Sequence, residues 1–257
     1  MCNENNVSSV NFIPWIGSEY DVTGFDGLRV LIVAESHYGS KRSERPTATP
    51  ELVKALGQRQ QHPSATARLR KHPHFARIVT TVNNASQASK FSTMQRSDFW
   101  EHVSYYNFLQ EFMSAARVPP SDKAWADGRE AFPEVLDALR PDLVIAFGKR
   151  LSRHLDKVSG NCAVAKVHHP STGFSYNRWN PVINAALAQA AQIKRTAMRS
   201  QHKLPANLNF VEWYETSRKV LPSHGPHLPA AMLAEAHVTW ARQMTELRRR
   251  RTSTGQR

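Results

Sequence analysis

Cysteine is almost missing from this chain: the 257 residues include only Cys2 and Cys162. Two thiols cannot build a multi-thiolate zinc site or hold a four-cysteine iron–sulfur cluster. No apolar run approaches the roughly 18 residues that span a bilayer. The first ten residues lack a charged stretch followed by an apolar one, so no secretion signal is expected. A reducing cytoplasm is the expected setting. Acidic residues are also scarce: 21 Asp plus Glu stand against 34 Lys plus Arg, a formal charge of +13. That surplus favours a polyanionic partner, nucleic acid first and an anionic membrane surface second. The plainer alternative is a solvated basic surface. Twelve histidines are present, yet His72-Pro-His74 and His168-His169 lack Cys or carboxylate partners at metal-ligand spacing. Neither a metal nor another cofactor is expected.

What is present is an ordinary globular chain. Hydrophobic residues make up 40 %, enough for one sizeable core or two small ones. Arg29–Ala34 is a continuous apolar and β-branched run, the pattern of a strand buried on both faces. It breaks into the polar loop Glu35-Ser-His-Tyr-Gly39. Residues 40–98 carry many basic and turn-forming residues and read as helical and loop decoration inserted between core elements. A helix start is expected at Thr49-Pro-Glu51, and Arg68–His72 is a cationic run. Val103–Asn107 reads as a second strand, followed by a helix over Phe108–Ala116. Further helices are expected over Gly128–Leu139 and Lys149–Lys157, and a long Ala-rich one over Pro181–Met198. Asp142–Phe147 and Cys162–Val167 read as strands. Strands alternating with helices imply βαβ units. The expected fold is an α/β three-layer sandwich, with a central, mostly parallel four-stranded sheet flanked by helices. It spans residues 1–198, and residues 199–257 form a basic helical extension, with helices over 210–220 and 228–251. The run Arg248–Arg251 is either a solvated tail or a DNA-binding arm.

Three polar clusters follow strand ends: Glu35-Ser-His-Tyr38, Asn107 and His168-His-Pro-Ser171. In a parallel sheet all three reach the same edge, where ligands of open α/β folds gather. This ordered set, with Arg140-Pro-Asp-Leu-Val-Ile-Ala-Phe-Gly148 between the second and third members, resembles the uracil-DNA glycosylase superfamily. The likeness covers about residues 28–195 without the 40–98 insertion. It implies an enzyme that flips a base out of DNA and cuts its N-glycosidic bond.

Carried over by motif, Glu35 would position water or stabilise the positive sugar. His169 would stabilise charge on the departing base. Asn107 would bond the base's polar edge, or else cap a following helix. Tyr38 would pack against the base ring, and Phe108 and Tyr106 are further stacking candidates. Ser36 stands where the best-known branch has its catalytic Asp, and His37 where it has Pro. His37 is thus the acid–base candidate if Glu35 is not. Of the loop after Ser171, Phe174 or Tyr176 would be the wedge entering DNA. Arg178 and Ser171 would touch phosphates, and Arg68, Arg70 and Lys71 would line the DNA path.

No Lys lies in the three motifs, so the expected enzyme is monofunctional and leaves an abasic site. The altered first motif and the insertion favour a modified pyrimidine over plain uracil, with hypermodified cytosine of phage DNA as one example and either antiviral defence or DNA repair as the role. Tyr38 argues the other way, since it would crowd a ring substituent. The alternative is a non-catalytic module that holds modified or abasic DNA. A small-molecule or RNA-directed hydrolase stands third. The partner is single- or double-stranded DNA, and a monomer is expected.

Overall fold

The structure, a computed structural model, describes residues 9–58, 73–86, 89–115, 118–155, 162–170 and 173–202. The expected helices over 210–220 and 228–251, the run Arg68–His72, Ser171 and the Arg248–Arg251 tail lie outside the described residues. The chain divides into two compact units, Met1–Lys194 and Arg195–Arg257.

The described strands are β1 (Trp15–Ile16), β2 (Val30–Ala34), β3 (His37–Tyr38), β4 (Val103–Asn107), β5 (Phe112–Met113), β6 (Leu143–Phe147) and β7 (Ala163–Val167). Five of them form the central sheet in the order β1-β4-β2-β6-β7, and β3 pairs with β5 in a separate small sheet. β2 runs parallel to both β4 and β6, with Ala34 opposite Asn107 and Val33 opposite Ala146. β7 runs parallel to β6. Only β1 is antiparallel, on the outer edge of β4. The sheet therefore has five strands rather than the four expected. β1 is two residues long, too short to show the alternation by which strands are read.

Helices cover both faces of this sheet. They are α1 (Ala48–Leu52), which runs into a π-helical turn over Val53–Gly57, then α2 (Pro73–Val82), α3 (Thr93–Glu101), α4 (Asp122–Leu139), α5 (Lys149–His154) and α6 (Tyr176–His202). Side chains alternate across a strand, so β2 sends Ile32 and Ala34 to one face, Leu31 and Val33 to the other. Ile32 shares one buried cluster with Phe75, Ile78 and Val79 of α2, Trp100 of α3 and Ile183 of α6. Leu31 and Val33 share the other with Trp125, Phe132 and Val135 of α4 and Leu151 of α5. This is the expected three-layer α/β arrangement. The 40–98 stretch is more than decoration, however: α2 and α3 supply part of the core on one face.

Three helices differ from their expected bounds, α5 ending at His154 short of Lys157, and one expected helix is absent. Phe108 and Leu109 donate their N–H groups to Ala34 O and Glu35 O, each at 2.9 Å. These bonds prolong the β2–β4 ladder, and the chain then enters β5 instead of a helix over 108–116. α4 begins at Asp122, well before Gly128, because Ser121 Oγ accepts from the Ala124 N–H at 3.1 Å and caps it. Gly128 sits inside the helix where a Cβ would lie 2.6 Å from the Phe108 ring. α6 begins at Tyr176 and so carries Pro181 inside it rather than at its start.

Candidate active site

The carboxyl ends of β2, β4, β6 and β7 share one edge of the sheet, and a cavity of about 530 Å³ opens there. Glu35, Ser36, His37 and Tyr38 line it from the loop after β2, and His169 lines it from the loop after β7. The facing wall comes from Arg45 in the loop before α1, and from α1, its π-helical turn and α2 through Glu51, Leu52, Leu56, His74 and Phe75. Tyr105 of β4 and Phe112 of β5 complete it. The first and last polar motifs thus meet across the sheet edge.

Glu35 is held from α5. Arg150 Nη2 lies 2.6 Å from Oε1 and Nε 3.2 Å from Oε2, a two-point clamp. The Glu35 side chain is only 12 % exposed. A carboxylate has about four lone-pair sites, so the clamp leaves room for a water. Ser36 Oγ is buried on the wall with no hydrogen-bond partner.

His37 does not offer a free nitrogen. Its Nε2 lies 2.9 Å from Thr49 Oγ1, and the Asn107 amide Nδ2 lies 3.1 Å from Nε2 and 3.4 Å from Nδ1, so the amide can donate to the nitrogen that Thr49 leaves open. Its ring stacks on Phe112 at 5.1 Å and meets the edge of Phe12 at the same distance. Burial, with help from the Arg45 charge, pushes its pKa down to about 4. Burial thus favours a neutral His37 ring, held between Thr49 of α1 and Asn107 of β4. Asn107 is 1 % exposed and sits behind His37 rather than on the cavity wall.

His169 is half-buried, and burial lowers its pKa, followed by the charges of His168, Arg150 and Arg77. It stays a neutral imidazole at pH 7. Arg77 Nη1 donates to Pro170 O at 3.2 Å and holds the loop that carries it. His168 instead stacks on Trp179 at 5.9 Å. Tyr38 stands at the mouth, 52 % exposed. Phe108 is fully buried on the opposite face of the sheet, against Trp125 and Phe132, so it is core and not a stacking platform. Tyr106 stacks on Phe132 in that same cluster. Phe112, which the expected helix had hidden, adds an aromatic ring to the wall beside those of Tyr38, Phe75 and Tyr105.

The remaining candidates gather beyond His169. Phe174 packs against the core and touches Tyr176 edge-on at 5.5 Å. Arg178 lies over the Trp179 ring at 4.9 Å and is otherwise exposed. Arg68, Arg70, Lys71 and Ser171 lie outside the described residues.

No family model matches this chain, and no curated protein matches it. Among the described residues, no group of three or more His, Cys, Asp or Glu is arranged to hold a metal ion, and no helix is long and apolar enough to cross a membrane. The cavity can therefore be read from its own chemistry: a clamped carboxylate, an unpartnered hydroxyl, a neutral imidazole and an aromatic plate around a largely apolar space. Its volume falls in the range of roughly 300–1,000 Å³ that holds compact organic ligands. Arg150 and Phe112 escaped the sequence reading because nothing local marks them, and His74 entered it only as half of a histidine pair weighed for metal binding. Arg150 lies in a helix of basic residues, and His74 in a stretch taken for decoration.

Proposed function

We propose that this chain is a monofunctional DNA N-glycosylase of the uracil-DNA glycosylase superfamily, which takes a flipped pyrimidine into the cavity and leaves an abasic site. The observation that carries this reading is that Glu35 and His169, from strands two places apart in the sheet, line one cavity large enough for a base. The base stacks on Phe112. His169 donates a neutral N–H to the base oxygen on which charge grows as the bond to the sugar breaks. The cations Arg150 and Arg77 near His169 favour that charge. Glu35, oriented by Arg150, and Ser36 Oγ hold the water that attacks the sugar carbon, and the carboxylate stabilises the cationic sugar. No Lys lines the cavity among the described residues, which fits hydrolysis rather than Schiff-base lyase chemistry.

The space favours a base larger than uracil, such as a hypermodified cytosine of phage DNA, and hence a role in antiviral defence; uracil removal in DNA repair is the narrower option. Tyr38 lies at the mouth, where it crowds a substituent less than a buried ring would. Exposed Lys41, Arg42, Lys149, Arg150 and Arg153 follow strand ends at this edge and suit a DNA backbone. The protein works as a cytoplasmic monomer on single- or double-stranded DNA.

Mass-spectrometric detection of bases released from uracil-containing and modified-cytosine duplexes tests the proposal. Release should fall at least about 100-fold in His169→Ala, since a lost transition-state donor costs about 10²–10³-fold. Glu35→Gln should also lose activity while still binding DNA. The Arg150 clamp favours one other reading, a non-catalytic module that holds modified or abasic DNA, because the guanidinium already engages both Glu35 oxygens. Absence of any release, with DNA binding intact, would select that module.

A further inference from the structure

Most polar groups on the cavity wall are already engaged. Glu35 is clamped by Arg150, His37 by Thr49 and Asn107, and Arg45 pairs with Glu51. His169 and Ser36 belong to the cutting chemistry. Two groups are left without a role: His74, in the first turn of α2, and Tyr105, in the middle of β4. They come from a helix and a strand distant in sequence, and both line the cavity. The Tyr105 hydroxyl lies 3.3 Å from His74 Nε2. The His74 ring sits 5.1 Å from that of His169, tilted by 40°. Tyr105 is 2 % exposed. Placing a buried phenol beside a half-buried imidazole at an apolar wall is unfavourable unless hydrogen bonds offset the lost hydration, and the phenol oxygen keeps lone pairs for a ligand.

We propose that the Tyr105–His74 pair reads the polar edge of the bound base and selects a base whose edge carries an exocyclic amino group. The inference rests on the reading that this cavity accepts a flipped base. A phenol is the better donor of the two and a neutral imidazole nitrogen the better acceptor, so the Tyr105 O–H donates to His74 Nε2. Burial pushes the Tyr105 pKa up, so the hydroxyl retains the proton it gives. The phenol oxygen then offers lone pairs and no hydrogen. It accepts from an amino group, as on cytosine, and faces a keto oxygen, as on uracil, with like polarity. Asn107, the residue that the motif order assigns to the base edge, is sealed behind His37 and leaves that task open.

The test is an NMR-monitored titration of the full chain with cytidine against uridine and adenosine against inosine, two pairs that differ by amino or keto at one position. A wrong partner for a buried polar group costs roughly 10- to 100-fold in affinity, and the amino member of each pair should bind tighter by about that factor. Tyr105→Phe should abolish the preference without abolishing binding. His74→Ala leaves the phenol proton free to meet a keto oxygen, so the preference should reverse. His74 is on a helix outside the sheet, so this variant serves if Tyr105→Phe does not melt cooperatively. Equal or tighter binding of the keto members overturns the proposal, as does a preference that survives Tyr105→Phe, or no binding of any of the four. Base release, measured separately, distinguishes the two levels. Release without the nucleoside preference removes only the Tyr105–His74 role. The preference without release from any duplex upholds that role and removes the glycosylase.

Discussion

Acidification from pH 7 to pH 4 probes the clamp that holds α1 to the sheet. His37 has an ordinary pKa near 6.5, which burial in the folded protein pushes down to about 4. The unfolded chain therefore takes up a proton as the pH drops below 6.5, and the folded chain does not until near 4. The neutral ring's contribution to stability is thus complete above about pH 6.5, is lost progressively between 6.5 and 4, and loses nothing further below that. At 1.36 kcal/mol per pKa unit the loss reaches about 3 kcal/mol. That is a large part of the roughly 5–15 kcal/mol that holds a domain folded. The loss has a local cause. A protonated ring would sit 4 % exposed between Phe12 and Phe112, close to the Arg45 charge. The assay is urea unfolding of wild type and His37→Gln at several pH values between 7 and 4. The variant loses packing at every pH, but it cannot titrate. The stability gap between the two proteins should therefore narrow by about 3 kcal/mol across this range. A gap that stays constant with pH would refute the reasoning, because it would mean that His37 protonates as easily in the folded protein as in water.

Three other outcomes are expected. Gly128→Ala should destabilise the protein by about 1–3 kcal/mol, since the new Cβ would meet the buried Phe108 ring at 2.6 Å and neither α4 nor the ring can yield freely; unchanged thermal melting would contradict this packing. Arg150→Lys keeps the charge and loses the two-point clamp on Glu35, so base release should slow by roughly 10-fold while DNA affinity changes little, a split that single-turnover kinetics and binding can separate. DNA affinity should fall steeply with salt, with a slope of log K against log salt of about −2.7 or steeper if three or more phosphates are neutralised; a slope shallower than about −1 would argue that the cations at this edge do not contact the backbone.

The sheet was legible because its strands are buried on both faces. Val30–Ala34 and Leu143–Phe147 are unbroken apolar runs for that reason, and no helix of that length would need them. Phe108–Ala116 misled because its apolar residues satisfy two patterns at once. What decided between them was a long-range matter, the open acceptors of Ala34 and Glu35 on the neighbouring strand. The same holds for α2. Its composition is basic and turn-rich on the N-terminal side, and only the packing of Phe75, Ile78, Val79 and Val82 under the sheet shows that it belongs to the core.

The site was legible to the extent that topology alone determines it. Parallel strands send their carboxyl ends to one edge, so Glu35 and His169 could be placed together from chain order and strand direction, with no knowledge of packing. Side-chain direction is a different matter, and there the motif failed twice. At the end of β4, Asn107 and Phe108 point to opposite faces. Phe108 is drawn into the α4 core, and Asn107 is capped by a histidine where the motif's proline, having no side-chain nitrogen, could not have bonded it. His37 thus stands between the amide and the cavity. The polar edge then has to be supplied from elsewhere, and α2 and β4 bring His74 and Tyr105 to the wall that Asn107 does not reach. The variant His37→Pro joins the two ideas: it should free the Asn107 amide toward the cavity, and with a second reader present the amino-over-keto preference should weaken even though Tyr105 and His74 are untouched.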